Sequence, residues 1–365
     1  MKSVPKALIL NGIYHSSIEL RAVAVELQAF GKSEWEQALG KFLQQWLDEK
    51  DTIEVRTSGS TGTPKLTTIS KRSMLSSASM TGSFLGFRQG QTALLCLNTG
   101  FIAGMMMVVR AMVFQMNLIT VPPFGSPLNK IRKGSIDFAA MVPAQVYNSL
   151  MDKVSGQVFG SIGTIIVGGA ALSHELEKMI GQLNGRIYAT FGMTETITHI
   201  ALRRLNGPDR TDIYTVLPGI TIECDARGCL VAGVPYVDGT KIVTNDLVTI
   251  ESPVCFRWLG RADNVINTGG VKLIPETIEK KIAEFVRHRF FITCLPDPKL
   301  GEIPVLVVES DITLTDQYIE DILLQIKPFL SQMEMPRRIL HSVKFSETGN
   351  GKINRRESLK NIRKI

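Results

Sequence analysis

Ile162-Gly163-Thr164-Ile165-Ile166-Val167-Gly168-Gly169-Ala170-Ala171-Leu172-Ser173-His174-Glu175-Leu176-Glu177 decides how this chain folds. Its opening apolar run has the length and β-branched content of a strand buried on both faces. Ser173 is placed to cap a following helix, with Glu175 and Glu177 in the first turn, where the dipole favours anions. Residues 186–191 return to a strand pattern. The same alternation runs upstream, with strands expected at 92–97, 118–121 and 138–142 and helices opening near Ile102 and Pro143. This rhythm predicts an α/β fold whose large N-terminal part holds a mostly parallel sheet. Nearer the start, Ser33 with Glu36 forms a capping box. The helix it opens has Trp35, Leu39, Phe42, Leu43, Trp46 and Leu47 on one face.

Downstream the texture changes twice. Short strand-like pieces at 220–224, 230–232, 241–244 and 254–258, set between Gly, Pro and Asp turns, predict a small antiparallel sheet or barrel-like region. Beyond Asn264, Pro275 suits the first position of a helix running to about 286. Strands at 290–295 and 304–309, a helix at 316–329 and a strand at 339–345 complete a compact α+β unit.

Composition narrows the function. The 365 residues are 44% hydrophobic, 21% charged and 7% aromatic, values that exclude a collagen-like, disordered or disulfide-scaffold chain. Lys and Arg number 41 against 34 Asp and Glu, a net charge of +7. Much of that surplus sits in residues 351–365, where six cations face the single anion Glu357. A continuous nucleic-acid groove is therefore not expected. The five cysteines are scattered without a C-x-x-C pair, so neither a zinc site nor a disulfide framework is indicated. Residues 1–13 lack the long apolar core of a signal peptide. The most apolar window, 102–121, is interrupted by Arg110, Gln115 and Asn117. Because an arginine at a bilayer centre costs about 2.5–3.5 kcal/mol, a buried helix and strand fit better than a membrane span. A cytoplasmic protein is expected.

Six local patterns carry chemistry. Thr57-Ser58-Gly59-Ser60-Thr61-Gly62-Thr63-Pro64-Lys65 combines small hydroxyls and glycines, which expose backbone N–H groups to a polyphosphate, with a terminal lysine. It is not a Walker A loop, because Pro64 precedes Lys65 and Leu66 follows it. Tyr188-Ala189-Thr190-Phe191-Gly192-Met193-Thr194-Glu195-Thr196 ends an expected strand, where doubly wound sheets bind ligands. Glu195 could hold Mg²⁺, a hard cation satisfied by one or two carboxylates. Thr244-Asn245-Asp246 and Gly260-Arg261-Ala262-Asp263-Asn264 follow, and an aspartate after a strand is a natural acceptor for two ribose hydroxyls. Gly269-Gly270-Val271-Lys272 leads into the Pro275 helix, and Gly349-Asn350-Gly351-Lys352 sets a lysine on a glycine turn. Taken singly, each has an ordinary alternative as a linker, cap or turn.

The ordered set, spanning roughly Thr52 to Arg355, resembles the AMP-forming acyl- and aryl-CoA synthetase, luciferase and peptide-synthetase adenylation superfamily. The resemblance implies an N-terminal adenylate-forming domain, 1–262, and a mobile C-terminal domain, 263–365, with Asp263 as hinge. It implies ATP, Mg²⁺ and coenzyme A as reactants and partners, and two half-reactions through an acyl-AMP. By motif, Thr57, Ser58, Gly59, Thr61, Gly62 and Lys65 would cradle the β- and γ-phosphates. Thr194 would touch the α-phosphate, Glu195 the metal, and Phe191 the adenine. Gly168, Gly169 and Ala170 would line the adenine and acyl side. Asp246 and Arg261 would hold the ribose. Lys352 would bridge the acyl carboxylate and the α-phosphate, and Gly269 and Gly270 would face the pantetheine channel. Two departures stand out: little sequence precedes the phosphate loop, and Gly100-Phe101-Ile102-Ala103-Gly104 lacks a histidine common in relatives.

Residues 102–110 and 192–199 further resemble the short o-succinylbenzoate–CoA ligases of menaquinone synthesis. That acid keeps a second, aromatic carboxylate through the reaction, and burying it unpaired is costly. Thr196, Thr198 and His199 are the first candidates to read it, and Arg110 the second. The alternatives are a hydrogen-bonded core histidine and an arginine whose head reaches solvent. Three other functions stay open: a ligase for another aryl or fatty acid, an adenylating domain that loads a carrier protein, and a non-enzymatic nucleotide-binding regulatory module.

Overall fold

A computed structural model describes residues 4–57, 65–131, 135–193, 195–237, 241–312, 314–347 and 353–362, with Arg56, Thr57 and Lys65 described by backbone alone. The chain divides into two compact units. The first is Met1–Thr221 with Ala232–Ile242 and Pro253–Cys255, and the second is Ile222–Val231 with Val243–Ser252 and Phe256–Ile365.

In the first unit, nine strands lie side by side in the order Ile13–His15, Leu8–Leu10, Asn117–Thr120, Thr92–Leu95, Phe138–Met141, Thr164–Val167, Arg186–Gly192, His199–Arg204 and Ile213–Val216. From Leu8–Leu10 through Arg186–Gly192 every pairing is parallel, and the flanking pairings are antiparallel. The mostly parallel sheet expected from the βαβ rhythm is thus present. Phe138–Met141 and Thr164–Val167 are buried along their whole length, as strands covered on both faces must be. Leu94, Ala139, Ile165, Val167, Ile187 and Ala189 from this sheet join Val146, Phe159, Leu176 and Ile180 from the intervening helices in one core cluster.

Local chemistry sets the helix starts. Ser33 and Glu36 close the expected capping box on Glu34–Leu47, and Ser173 accepts from the Leu176 N–H at 3.1 Å. Helices outside the sequence reading include Arg355–Ile362 in the basic C-terminal stretch, Ser17–Phe30, opened by a Ser16/Glu19 capping box, and Lys71–Leu85. The last follows a hairpin, Thr52–Thr57 against Lys65–Ser70, whose register sets Thr57 opposite Lys65. The hairpin base is tied by Lys71, almost fully buried, whose Nζ reaches Asp48 Oδ1 at 2.8 Å. Helix Ile102–Phe114 packs against helix Lys71–Leu85. A Cβ at Gly82 would strike the Phe114 ring at 2.1 Å, so a glycine permits that approach.

Thr221–Cys224, Cys229–Gly233, Lys241–Ser252 and Cys255–Arg261, whose residues fall mainly in the second unit, are neighbours in chain order. This is an open run of strands; no closure into a barrel occurs among the described residues. A second sheet follows in the order Val271–Leu273, Ile266–Thr268, Gly301–Glu309, Phe290–Asp297, with Arg338–Ser342 parallel to Gly301–Glu309. Helices Pro275–Ile282 and Asp316–Ile326 pack Ile278, Ile282, Ile322 and Ile326 against Ile292, Leu306 and Val308, the α+β unit expected.

Candidate active site

Strands Thr164–Val167 and Arg186–Gly192 run parallel, with Val167 registered against Ala189, so their C-terminal loops emerge at the same edge of the sheet. That edge is where a doubly wound sheet binds ligands. Gly168 sits against Thr190: a Cβ there would lie 2.1 Å from Thr190 Oγ1. Gly169 has φ 89°, a left-handed value that glycine adopts without strain. Ala170 follows on the same loop. Phe191 is half-buried and meets Tyr214 edge-on, ring centroids 5.7 Å apart. Glu195 lies exposed on the turn that leaves this strand. Its placement fits Mg²⁺, which a lone carboxylate shares with phosphate oxygens and water.

Ser58, Gly59, Thr61, Gly62, Thr194 and Lys352 lie outside the described residues. The backbone of Thr57 and Lys65 places them as the two ends of the hairpin that brackets residues 58–64.

The strongest polar feature of the first unit lies beneath the loop that carries Glu195. Thr196 turns its hydroxyl inward, accepting from Met193 N–H at 3.0 Å and donating to Thr198 O at 2.6 Å, so it serves its own turn. Ile197 adopts φ 66°, a left-handed conformation for a β-branched residue, and this strained turn presents Thr198 and His199 to the helices behind. Thr198 Oγ1 is 2.8 Å from Ser77 Oγ, and His199 Nε2 is 3.1 Å from Thr81 Oγ1. Tyr236 donates its hydroxyl to Thr196 O at 3.3 Å. Arg110, on helix Ile102–Phe114, is 2% exposed, so its head does not reach solvent. Its Nε has no hydrogen-bond partner, and its Nη1 finds only the Met107 sulfur at 4.0 Å, among the described residues.

These groups shape one another electrostatically. Burial pulls the Arg110 guanidinium down to about 10, which leaves it charged at neutral pH. Burial, then the Arg110 charge, holds His199 well below its usual range, so it is neutral. Burial raises the Tyr236 phenol, opposed by its bond to Ser77 and the Arg110 charge. The result is a buried cation near a neutral imidazole and a neutral phenol. Sequence reasoning named Arg110, Thr198 and His199 but missed Ser77, Thr81 and Tyr236. The available signal was Ser77 and Thr81 at helical spacing with Met74, Ala78 and Leu85, two hydroxyls on an otherwise apolar face.

In the second unit, Asp246 is 7% exposed and accepts from Trp258 Nε1 at 2.9 Å and Arg261 Nη1 at 3.4 Å. Arg261 Nη2 also holds Asp263 Oδ2 at 3.0 Å, and Asn245 Nδ2 lies 3.3 Å from the same carboxylate. Asp246, Arg261 and Asp263 are therefore one cluster, joined by Asn245, which the sequence motif contains without a role, and by Trp258, which the sequence reading did not single out. Gly269 and Gly270 have φ 56° and 83° and form the tight turn between Ile266–Thr268 and Val271–Leu273.

With loops grouped at the C-terminal edge of an α/β sheet and an acid–arginine cluster later in the sequence, the chain belongs to the AMP-binding enzyme family, whose model matches residues 21–233. Among individual proteins it is similar to the 2-succinylbenzoate–CoA ligase of Lactococcus lactis, 25% identical, over 85% of this chain and 71% of that one. It also resembles the solved acyl-CoA synthetase (AMP-forming)/AMP-acid ligase II-like protein of Dyadobacter fermentans, 37% identical with a TM-score of 0.63, over 91% and 95% of the two chains. The fold is shared with the o-succinylbenzoate coenzyme A synthetase of Bacillus subtilis solved with ATP and magnesium ion: TM-score 0.73, 14% identity, 97% and 96% coverage. No described helix is long and apolar enough to cross a membrane.

Proposed function

We propose that this enzyme is an ATP-dependent carboxylate–CoA ligase acting on o-succinylbenzoate through an acyl-AMP. The observation that carries the substrate is Arg110: a buried cation lacking an anionic partner among the described residues, near the neutral His199 imidazole and the Tyr236 phenol. A plain fatty or aryl acid has no second charge to offer it. A dicarboxylate does, and the relatives that match along most of the chain carry that substrate in their names.

The chemistry has one dominant electrostatic problem. A carboxylate must approach a triphosphate, and two like charges ~4 Å apart repel by about 4 kcal/mol at an effective dielectric of 20. Thr57, Ser58, Gly59, Thr61, Gly62 and Lys65 would offset the β- and γ-phosphate charge with amides, hydroxyls and an ammonium. Glu195 would hold Mg²⁺, which when bound neutralises phosphate charge. Thr194 would donate to the α-phosphate, and Lys352 would set its ammonium between that phosphate and the incoming carboxylate. Phe191, Gly168, Gly169 and Ala170 would bound the adenine and acyl side, while Asp246 and Arg261 orient the ribose. The attack forms acyl-AMP and expels pyrophosphate. The CoA thiol, reaching past Gly269 and Gly270, then displaces AMP. A C-terminal domain, 263–365, moving about Asp263, would separate the two steps.

A panel of aryl, fatty and dicarboxylic acids assayed with Mg·ATP and CoA tests this reading. The expected result is fastest pyrophosphate release with o-succinylbenzoate and AMP release that needs free CoA. Preference for a mono-acid overturns the substrate. AMP release only with a carrier protein overturns the CoA acceptor, and nucleotide binding without pyrophosphate turnover with any acid overturns the ligase.

A further inference from the structure

In the second unit two carboxylates, Glu276 and Glu279, share one guanidinium, that of Arg355. Arg355 opens helix Arg355–Ile362, and its Nη2 meets Glu279 Oε2 at 2.9 Å and Glu276 Oε1 at 3.2 Å. Its Nη1 donates to Ile292 O at 2.9 Å, and the guanidinium carbon stands 5.9 Å from the Phe291 ring centre. Both glutamates come from helix Pro275–Ile282, one turn apart. Glu279 also accepts from the Ile292 N–H at 2.7 Å, and Asn264 Nδ2 donates to Glu276 Oε1 at 2.6 Å. The Glu276 side chain is 9% exposed, and its second oxygen has no hydrogen-bond partner among the described residues. Two carboxylates thus share one guanidinium away from solvent.

Such a cluster is a poor device for stability alone, because the desolvation of the ions is only partly returned by their attraction. Its value is geometric. The guanidinium fork ties three elements at fixed angles: the helix carrying both glutamates, strand Phe290–Asp297 through Ile292, and the helix that Arg355 begins. Just before Arg355 the chain is closed into a stem. Glu347 bridges Ile353, Asn354 N–H donates to Ser346 O at 2.8 Å, and Ser346 N–H donates to Ser358 Oγ at 2.9 Å. Phe345, Ile353 and Ile362 pack with Phe291, Val305 and Val307 beneath it. Lys352 immediately precedes this stem's second arm in sequence. A lysine is a point charge on a flexible four-carbon arm, so its aim depends on how firmly its backbone is held. On the other side, Asn264 links the same cluster to the turn Ala262–Asn264 that contains Asp263.

We infer that Arg355 is a positioning residue for acid activation: anchored on Glu276 and Glu279, it fixes the base of the segment that carries Lys352. This rests on the adenylation role proposed for Lys352. The partners of Arg355 in the structure are protein groups, Glu276, Glu279 and Ile292 O. Its effect belongs to the first half-reaction, because only that step uses Lys352.

The test measures the two half-reactions separately in full-length wild type and Arg355→Lys. Acid-dependent exchange of labelled pyrophosphate into ATP reads activation, and CoA thioester formation from supplied acyl-adenylate reads transfer. Arg355→Lys keeps the charge and loses the fork. Its exchange rate is expected to fall about 10²-fold, the scale of an ångström-level misplacement, while transfer stays within about twofold and the KM for ATP is unchanged. Equal loss in both steps, or full exchange, overturns the positioning role. Should Arg355→Lys fail to fold, as judged by its thermal transition, Glu279→Gln provides the same comparison, with a smaller selective loss expected and the same overturning outcomes. Wild-type protein that exchanges pyrophosphate with no acid overturns the functional reading, and the positioning role falls with it. Wild type that exchanges normally beside an unimpaired variant overturns the positioning role alone.

Discussion

Thr81 Oγ1 lies 3.1 Å from His199 Nε2, joining residues 118 positions apart inside the first unit. The bond fixes a neutral imidazole beside the Arg110 charge, which itself opposes protonation of the ring. Burial of the ring, and then that charge, depress the His199 pKa on folding below its unfolded value of about 6.5.

The consequence is an acid-side loss of stability. Below pH ~6.5 the unfolded chain binds a proton that the folded chain does not, so stability falls as pH falls, by up to about 1.4 kcal/mol per unit. Above that pH the contribution is complete. Denaturant unfolding between pH 5 and 8 is expected to show this slope in wild type and to lose it in His199→Gln. An unchanged slope in the variant would assign the acid limb to other groups.

Arg110→Met should separate stability from specificity. Removing an unpaired buried cation and keeping the apolar stem should leave the protein as stable or more stable, by about 1 kcal/mol or more. Under the proposed function, kcat/KM for o-succinylbenzoate should drop at least about 10²-fold, while a mono-acid analogue is little affected. The His199 titration, followed by NMR, should move upward once the neighbouring charge is gone.

Trp258→Phe keeps the ring and deletes the N–H that Asp246 Oδ1 receives at 2.9 Å. The carboxylate then retains Arg261 at 3.4 Å as its side-chain partner among the described residues, with an oxygen short of a donor, a cost of about 1–3 kcal/mol. If Asp246 orients the ribose, the Kd for ATP measured calorimetrically should rise about tenfold, near 1.4 kcal/mol. Unaltered affinity would detach Trp258 from the nucleotide.

Lys71→Met tests the hairpin base. Lys71 Nζ donates to Asp48 Oδ1 at 2.8 Å and to Asp48 O at 2.9 Å from a nearly buried position. Because Asp48 remains 37% exposed and can be rehydrated, the expected loss is about 1–2 kcal/mol by urea titration, less than for a fully buried pair. A loss above about 3 kcal/mol would mean that the whole hairpin detaches.

Much of this molecule is readable from neighbouring residues. Ile162–Val167 and Ser173 gave the strand and the capped helix, since a β-branched apolar run and an N-cap act over a few positions. Ser33 and Glu36 did the same. Helix Ser17–Phe30 carried an equally local signal in Ser16 and Glu19 that the reading passed over. Lys71–Leu85 was harder, because its serines and threonines are poor helix formers and only packing against Ile102–Phe114 makes their burial worthwhile.

The order of motifs along the chain by itself determined the family, the α/β architecture and the nomination of Arg110, Thr198 and His199. The architecture rests on patterns within a strand or a helix, and the family and the nominated residues on the resemblance those motifs carry. Tertiary structure alone decided that Arg110 is buried without an anion among the described residues, that Ser77, Thr81 and Tyr236 hydrogen-bond Thr198, His199 and Thr196, and that Arg355 is shared by Glu276 and Glu279. The physical reason is desolvation: whether a charged side chain lies in water or among apolar neighbours depends on segments tens of residues away, and that difference changes its energy by several kcal/mol.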